Sequence, residues 1–131
     1  MINTTPNETQ KSVLEEYGIV PAPTNNGCYA LIKYIREGNL LIGRNQAERI
    51  EIVRDLQKEW LDQRVKHMDT GVSGVVVYIF PLSRGAFSNF GTRNLARKRE
   101  ASFVAIIRLN NGRTHPFRLS NLGLVSSPQN I

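Results

Sequence analysis

Residues 101–125 read ASFVAIIRLNNGRTHPFRLSNLGLV, and their spacing decides the architecture. Over 101–109 the side chains alternate: Phe103, Ala105, Ile107 and Leu109 face one way, Ser102 and Arg108 the other. That is the period of two expected of a half-buried strand. Asn110-Asn111-Gly112 is a hairpin turn signal. With a three-residue loop and a left-handed Gly112, Phe103 pairs with Leu119 and Ala105 with Phe117 on one face. A two-residue loop would split those aromatics from the core, because a one-residue slip sends every side chain to the opposite face. The three-residue loop is therefore the expectation. Ser120-Asn121-Leu122 then makes one tight turn before a last short strand at Leu124-Val125.

Upstream, residues 72–80 are β-branched and aromatic with no helix former, and predict a strand buried on both sides near its middle. Residues 83–99 hold two Gly, two Asn and five bases, and read as a long exposed connection. The period is 3.6 further back: Ile50, Val53, Leu56 and Trp60 trace one apolar stripe, with Glu51, Arg54, Asp55, Lys58 and Glu59 on the solvated face. Asn45 caps this helix, with Glu48 reaching back in a variant of the capping box. The pattern predicts helix to about Val65. Residues 28–36 fit a helix stacking Leu31 under Ile35, or a strand alternating around Tyr29, Leu31 and Lys33; helix is favoured. Residues 9–17 predict a short helix with Val13 and Leu14 inward and Gly18 as its left-handed stop. Residues 21–27 read as a linker, and 1–8 and 126–131 as disordered ends.

The fold class read from this order is α+β. A tail, short helix and linker (1–27) and a helical segment (28–69) precede a basic small antiparallel β-barrel or sheet (70–126) and a tail (127–131). Strand, long basic loop, tight hairpin, single turn and closing strand resemble the small barrels of the Src-homology type. Phe117-Arg118-Leu119-Ser120-Asn121-Leu122 is similar to the turn before their last strand. The resemblance covers roughly 72–126 and implies a peptide-binding, nucleic-acid-binding or docking module. Fold alone does not choose among these. The segment 34–43 followed by the capped helix is similar to the helix–loop–helix of bacterial winged-helix regulators. It departs from them in being acid-rich where a recognition helix carries Arg, Asn or Gln, and is read as a packing unit.

Charge supplies the functional lead. Residues 1–69 hold nine Lys/Arg and ten Asp/Glu, whereas 70–131 hold eight Lys/Arg, seven of them Arg, and one acid, Glu100. Guanidinium groups grip phosphate or carboxylate in two-pronged fashion and stack on aromatic faces. Arg84, Arg93, Arg97, Lys98 and Arg99 surround Phe87 and Phe90, so phosphate contacts alternate with surfaces for unpaired bases. Arg108, Arg113 and Arg118 lie on or beside the hairpin, where Arg108 and Arg118 extend the patch over the outer sheet face. The expected function is a non-catalytic nucleic-acid-binding module, RNA or single strand favoured. The alternative is an adaptor docking on acidic protein surfaces of a large assembly, such as a phage particle or a photosynthetic or ribosome-associated complex.

Other chemistry has weaker footing. His67 and His115 do not sit at metal spacing, and one cysteine, Cys28, permits neither a disulfide nor a thiolate cluster. Cys28 reads as core packing rather than as a nucleophile. Glu51, Asp55, Glu59 and Asp62 share a helix face, but Arg54 and Lys58 between them pair more simply than Mg²⁺ would. No catalytic residue, metal, cofactor or small-molecule substrate is expected. The polar N-terminus lacks the order of a secretory signal, and the longest apolar run, 75–80, is too short to span a bilayer. A cytoplasmic protein is expected.

Overall fold

The computed structural model of the chain describes residues 7–37, 45–82, 100 and 102–125. Within them, three α-helices precede a five-stranded antiparallel sheet, an α+β arrangement. Helix α1 spans Glu8–Glu16, α2 Asn25–Glu37 and α3 Gln46–Trp60. Strands are β1 Arg64–His67, β2 Ser73–Pro81, β3 Phe103–Leu109, β4 Thr114–Arg118 and β5 Leu122–Leu124. A single 3₁₀ turn, Leu119–Asn121, joins β4 to β5.

Each helix starts where a side chain satisfies the first free amides. Asn7 accepts from the Gln10 amide at 2.7 Å, and Asn45 accepts from Glu48 at 2.9 Å. Glu48 reaches back to the Asn45 side-chain amide rather than its backbone, at 3.1 Å. The first helix thus begins at Glu8, within the stretch read as disordered, while residues 1–6 and 126–131 lie outside the described residues. Gly18 follows α1 with φ +76°. The linker is shorter than expected, because α2 begins at Asn25 and the ambiguous segment is helical.

Buried polar side chains stitch the helical layer. Arg49 donates from Nε to the Ile35 carbonyl at 2.9 Å, satisfying an end of α2 that has no intrahelical donor. Gln57 clamps the α1–α2 connector: its Oε1 accepts from Val20 N–H and its Nε2 donates to Val20 C=O, both at 2.8 Å. The buried stripe of α3 therefore runs Arg49, Val53, Leu56, Gln57 and Trp60, with Ile50 at its half-buried margin.

Helix α3 does not reach Val65. Leu61 turns extended and Asp62 takes φ +64°, a left-handed conformation that Asp tolerates better than most residues. The stretch read as the helix's end is β1, with Arg64 and Lys66 exposed and Val65 and His67 buried. A strand thus lies inside the segment 28–69 that the sequence reading made helical.

The strand order is β4-β3-β2-β1-β5, every pair antiparallel. The β3–β4 hairpin has the three-residue loop: Ala105 faces Phe117, the Leu109 amide bonds to the Arg113 carbonyl at 2.8 Å, and Gly112 has φ +85°. Leu119, expected opposite Phe103, is buried at the start of the 3₁₀ turn. On β2 the inward residues are fully buried and the outward ones half-buried. Gly74 leaves room for the close β2–β3 approach, since a Cβ there would lie 2.4 Å from the Arg108 carbonyl oxygen. Pairing slips by one residue between Val76 and Tyr78, a bulge that re-aims Tyr78.

One core joins the layers. Leu14, Leu31, Ile35, Val53, Leu56 and Trp60 from the helices meet Val65, Val76, Ile79, Phe103, Ala105, Ile107, Leu119 and Leu122 from the sheet. The sheet is open but curled. His67 of β1 and Phe117 of β4 have two strands between them, yet their rings stand 4.6 Å apart.

Replacing Gly112 with valine should destabilise the protein by about 1–2 kcal/mol, through backbone strain alone. No described residue lies within 4 Å of where its Cβ would sit. A denaturant midpoint that does not move would refute the left-handed turn and the register built on it.

Candidate nucleic-acid interface

Alternation along the strands, set by the core, sorts the sheet's charges. Because Val65, Val76, Ala105 and Ile107 point inward, their neighbours point out. Across the outer face, Arg64 stands opposite Val75, Val75 opposite Arg108, and Arg108 opposite Thr114. A second row runs Phe80, Val104, Arg118. Ile106 and Pro116 lie between the rows, and Lys66 faces Ser73 beside them; Tyr78, past the bulge, sets its ring against Gly27 of α2 instead.

Four cations, Arg64, Lys66, Arg108 and Arg118, thus share a face on which none of the strand positions is acidic. Asp69 sits in the β1–β2 turn and Glu100, buried, precedes β3. Arg64, Lys66 and Arg108 are exposed; Arg118 is half-buried and engaged in a further interaction. The middle of the face is apolar. Val75, Phe80, Val104 and Ile106 are half-buried yet stand apart from the core cluster, whereas Tyr78 packs against it. The Tyr78 and Phe80 rings lie 6.1 Å apart at 36°.

Of the residues singled out from the sequence, Arg108 and Arg118 occupy this face as expected. Arg113 is exposed but precedes β4 and is out of phase with them. Arg84, Phe87, Phe90, Arg93, Arg97, Lys98 and Arg99 lie outside the described residues. The strands flanking that segment are held together: Pro81 faces Phe103, and the Leu82 amide donates to the Ser102 carbonyl at 2.8 Å. The segment leaves and rejoins the sheet at the end where Phe80, Val104 and Arg118 form their row. Arg64, Lys66 and Phe80 also stand on this face and are not among the residues that the sequence pattern singles out. The alternation Arg64-Val65-Lys66-His67 was the available signal, obscured by extending the preceding helix through it.

The remaining candidates are placed differently. Both histidines approach the Phe117 ring, His67 at 4.6 Å and His115 at 4.8 Å. His67 Nδ1 accepts from the Thr70 amide at 3.2 Å, so in the neutral ring the proton sits on Nε2. Cys28 is fully buried and donates to the Ala22 carbonyl at 3.2 Å. Burial pushes its thiol pKa up, away from the thiolate that nucleophilic chemistry requires. Glu51, Asp55 and Asp62 line an open groove beside Gly18 and Val20, with Arg54 and Lys58 among them. Among the described residues no three His, Cys, Asp or Glu side chains gather to hold a metal ion.

Comparison with protein-family models, with curated proteins and with solved structures finds no match for this chain. Among the described residues no helix is long and apolar enough to cross a membrane.

Proposed function

We propose that this chain is a non-catalytic nucleic-acid-binding module, its curled sheet a small barrel of the Src-homology type. Phosphates are held by the outer sheet face and by the basic connection 83–99. RNA or single strands are favoured over duplex. The observation that carries this reading is the segregation of charge: the outward positions of the five strands hold Arg64, Lys66, Arg108 and Arg118 and no carboxylate. A face of one sign, uncompensated by neighbouring acids, draws a polyanion at long range and binds it in a salt-dependent way. Arg84, Arg93, Arg97, Lys98 and Arg99, in the sequence between β2 and β3, add five more cations.

Binding of a fluorescent single-stranded oligonucleotide, followed by anisotropy across a salt series, tests the reading. Each neutralised phosphate contributes about −0.7 to the log–log slope on a single strand. Replacing Arg64 and Arg108 with alanine should make the slope shallower by roughly 1.4, and replacing Arg97, Lys98 and Arg99 by roughly 2. Melting should hardly change in the first variant, because exposed charges add little stability. Absence of salt-sensitive binding to any RNA or DNA at low ionic strength would end this reading. The cations would then belong to a protein interface, and their loss should detach the chain from an acidic partner.

A further inference from the structure

The outer face is more than a charged surface, because its cations surround an apolar centre. On β3 the outward sequence runs Val104, Ile106, Arg108, so the last stands four positions beyond the first. At about 3.4 Å per residue, Arg108 lies roughly 13 Å along the strand from the row containing Phe80 and Arg118. Phe80 and Arg118 are separated by β3 and so stand about 10 Å apart across the sheet. Between these cations lie the Phe80 ring and the Val104 and Ile106 side chains, all half-buried and outside the core cluster. The Tyr78 ring, seated against Gly27 of α2 and the core, stands 6.1 Å from the Phe80 ring at one margin of this centre.

We infer that this centre is a base-stacking platform, Phe80 its aromatic contact, and that it makes the face selective for unpaired nucleotides. The inference rests on the nucleic-acid reading and narrows its ligand class. A duplex buries its base faces in its own stack and offers phosphates and groove edges, so it meets the arginines but leaves the apolar centre unmatched. An unpaired strand lays its bases flat on an aromatic ring, with its phosphates free to reach cations on either side. Arg64 and Arg108 supply one cationic border and Arg118 the other. Base stacking tolerates any sequence, so the platform adds affinity without a sequence preference.

Phe80→Leu tests this, since leucine keeps the strand position apolar but removes the ring. Binding is measured on the full chain with twelve-nucleotide oligo(dT) and oligo(rU), and with an oligo(dA)–oligo(dT) duplex of the same length, at one fixed salt concentration. Affinity for both single strands should fall roughly 5- to 100-fold. Affinity for the duplex and the salt slope on the single strand should stay unchanged, because stacking releases no ions. An equal loss on single strand and duplex, or no loss in a variant that melts like the parent, overturns the inference.

If Phe80→Leu fails to fold, Phe80→Trp replaces it. The new indole's emission should quench on adding oligo(dT) and not on adding the duplex, whereas Trp60, 5% exposed, supplies a constant background. No selective quenching overturns the inference equally. The Arg64→Ala, Arg108→Ala double variant separates the two levels. Weakening in that variant with none in Phe80→Leu removes the platform and leaves the nucleic-acid reading standing. No binding by the parent to any oligonucleotide, or displacement of oligo(dT) by polyglutamate as readily as by nucleic acid, removes both.

Discussion

Trp60→Ala should lower stability by roughly 3–5 kcal/mol, the usual cost of removing a buried aromatic and leaving a cavity. Trp60 is the last residue of α3 and is 5% exposed, in the one core cluster that includes Val53 and Leu56 below it and Val76 and Ile79 of β2. Its carbonyl accepts from the Gln63 amide at 3.1 Å, so it also anchors the reversal into β1. A domain of this size has about 5–15 kcal/mol in total, so the variant should lose a large share of its margin. The melting temperature should fall on the order of 10–20 °C, and the urea midpoint should fall with an unchanged slope. A variant that melts like the parent would make α3 a separate arm whose apolar stripe is covered by something else. That result would favour the adaptor alternative, because the stripe would then be a docking face.

Phe103→Ala should have an effect of similar size, roughly 3–5 kcal/mol, for a different structural reason. Phe103 is fully buried at the start of β3 and meets the Tyr34 ring of α2 edge-on, 5.5 Å between centroids at 77°. Such aromatic pairs contribute about 0.5–1.5 kcal/mol beyond the area they bury. Burial also pushes the Tyr34 hydroxyl pKa well up, so the contact stays neutral across the ordinary pH range. Phe103→Leu, close in volume and lacking only the ring, should cost under about 1.5 kcal/mol. Chemical denaturation of both variants checks the pair. A loss of less than 1 kcal/mol in Phe103→Ala would mean that the helical layer is not seated on the sheet in solution.

How much of this was legible beforehand can be judged at particular residues. The hairpin register was readable because Gly112 and the alternation from Phe103 to Leu109 constrain each other. Only one loop length puts the aromatics and aliphatics on the same side. The cap at Asn45 and the left-handed Gly18 were readable because each depends on residues within one turn of chain. The end of α3 was not. Leu61 through Val65 keeps helical hydrophobic spacing, and nothing local marks Asp62 as left-handed. Its amide is held by the Val76 carbonyl at 2.9 Å, a contact from β2 that local sequence does not contain. The same blindness hid half of the candidate site, since Arg64 and Lys66 could be placed only once β1 was recognised as a strand.

By itself, then, the sequence determined the elements whose causes are local: caps, the three-residue turn, the period of each long segment, and the confinement of net positive charge to the second half. Tertiary structure alone decided which cations share a surface. Hydrogen bonding placed β1 between β2 and β5, curled the sheet until His67 met Phe117, and aligned Arg64 with Arg108 across Val75. Those neighbours are 44 positions apart in the chain, from 64 to 108. Periodicity carries information over a few turns of backbone, whereas cross-strand pairing is fixed by packing between segments that the chain brings together only when folded.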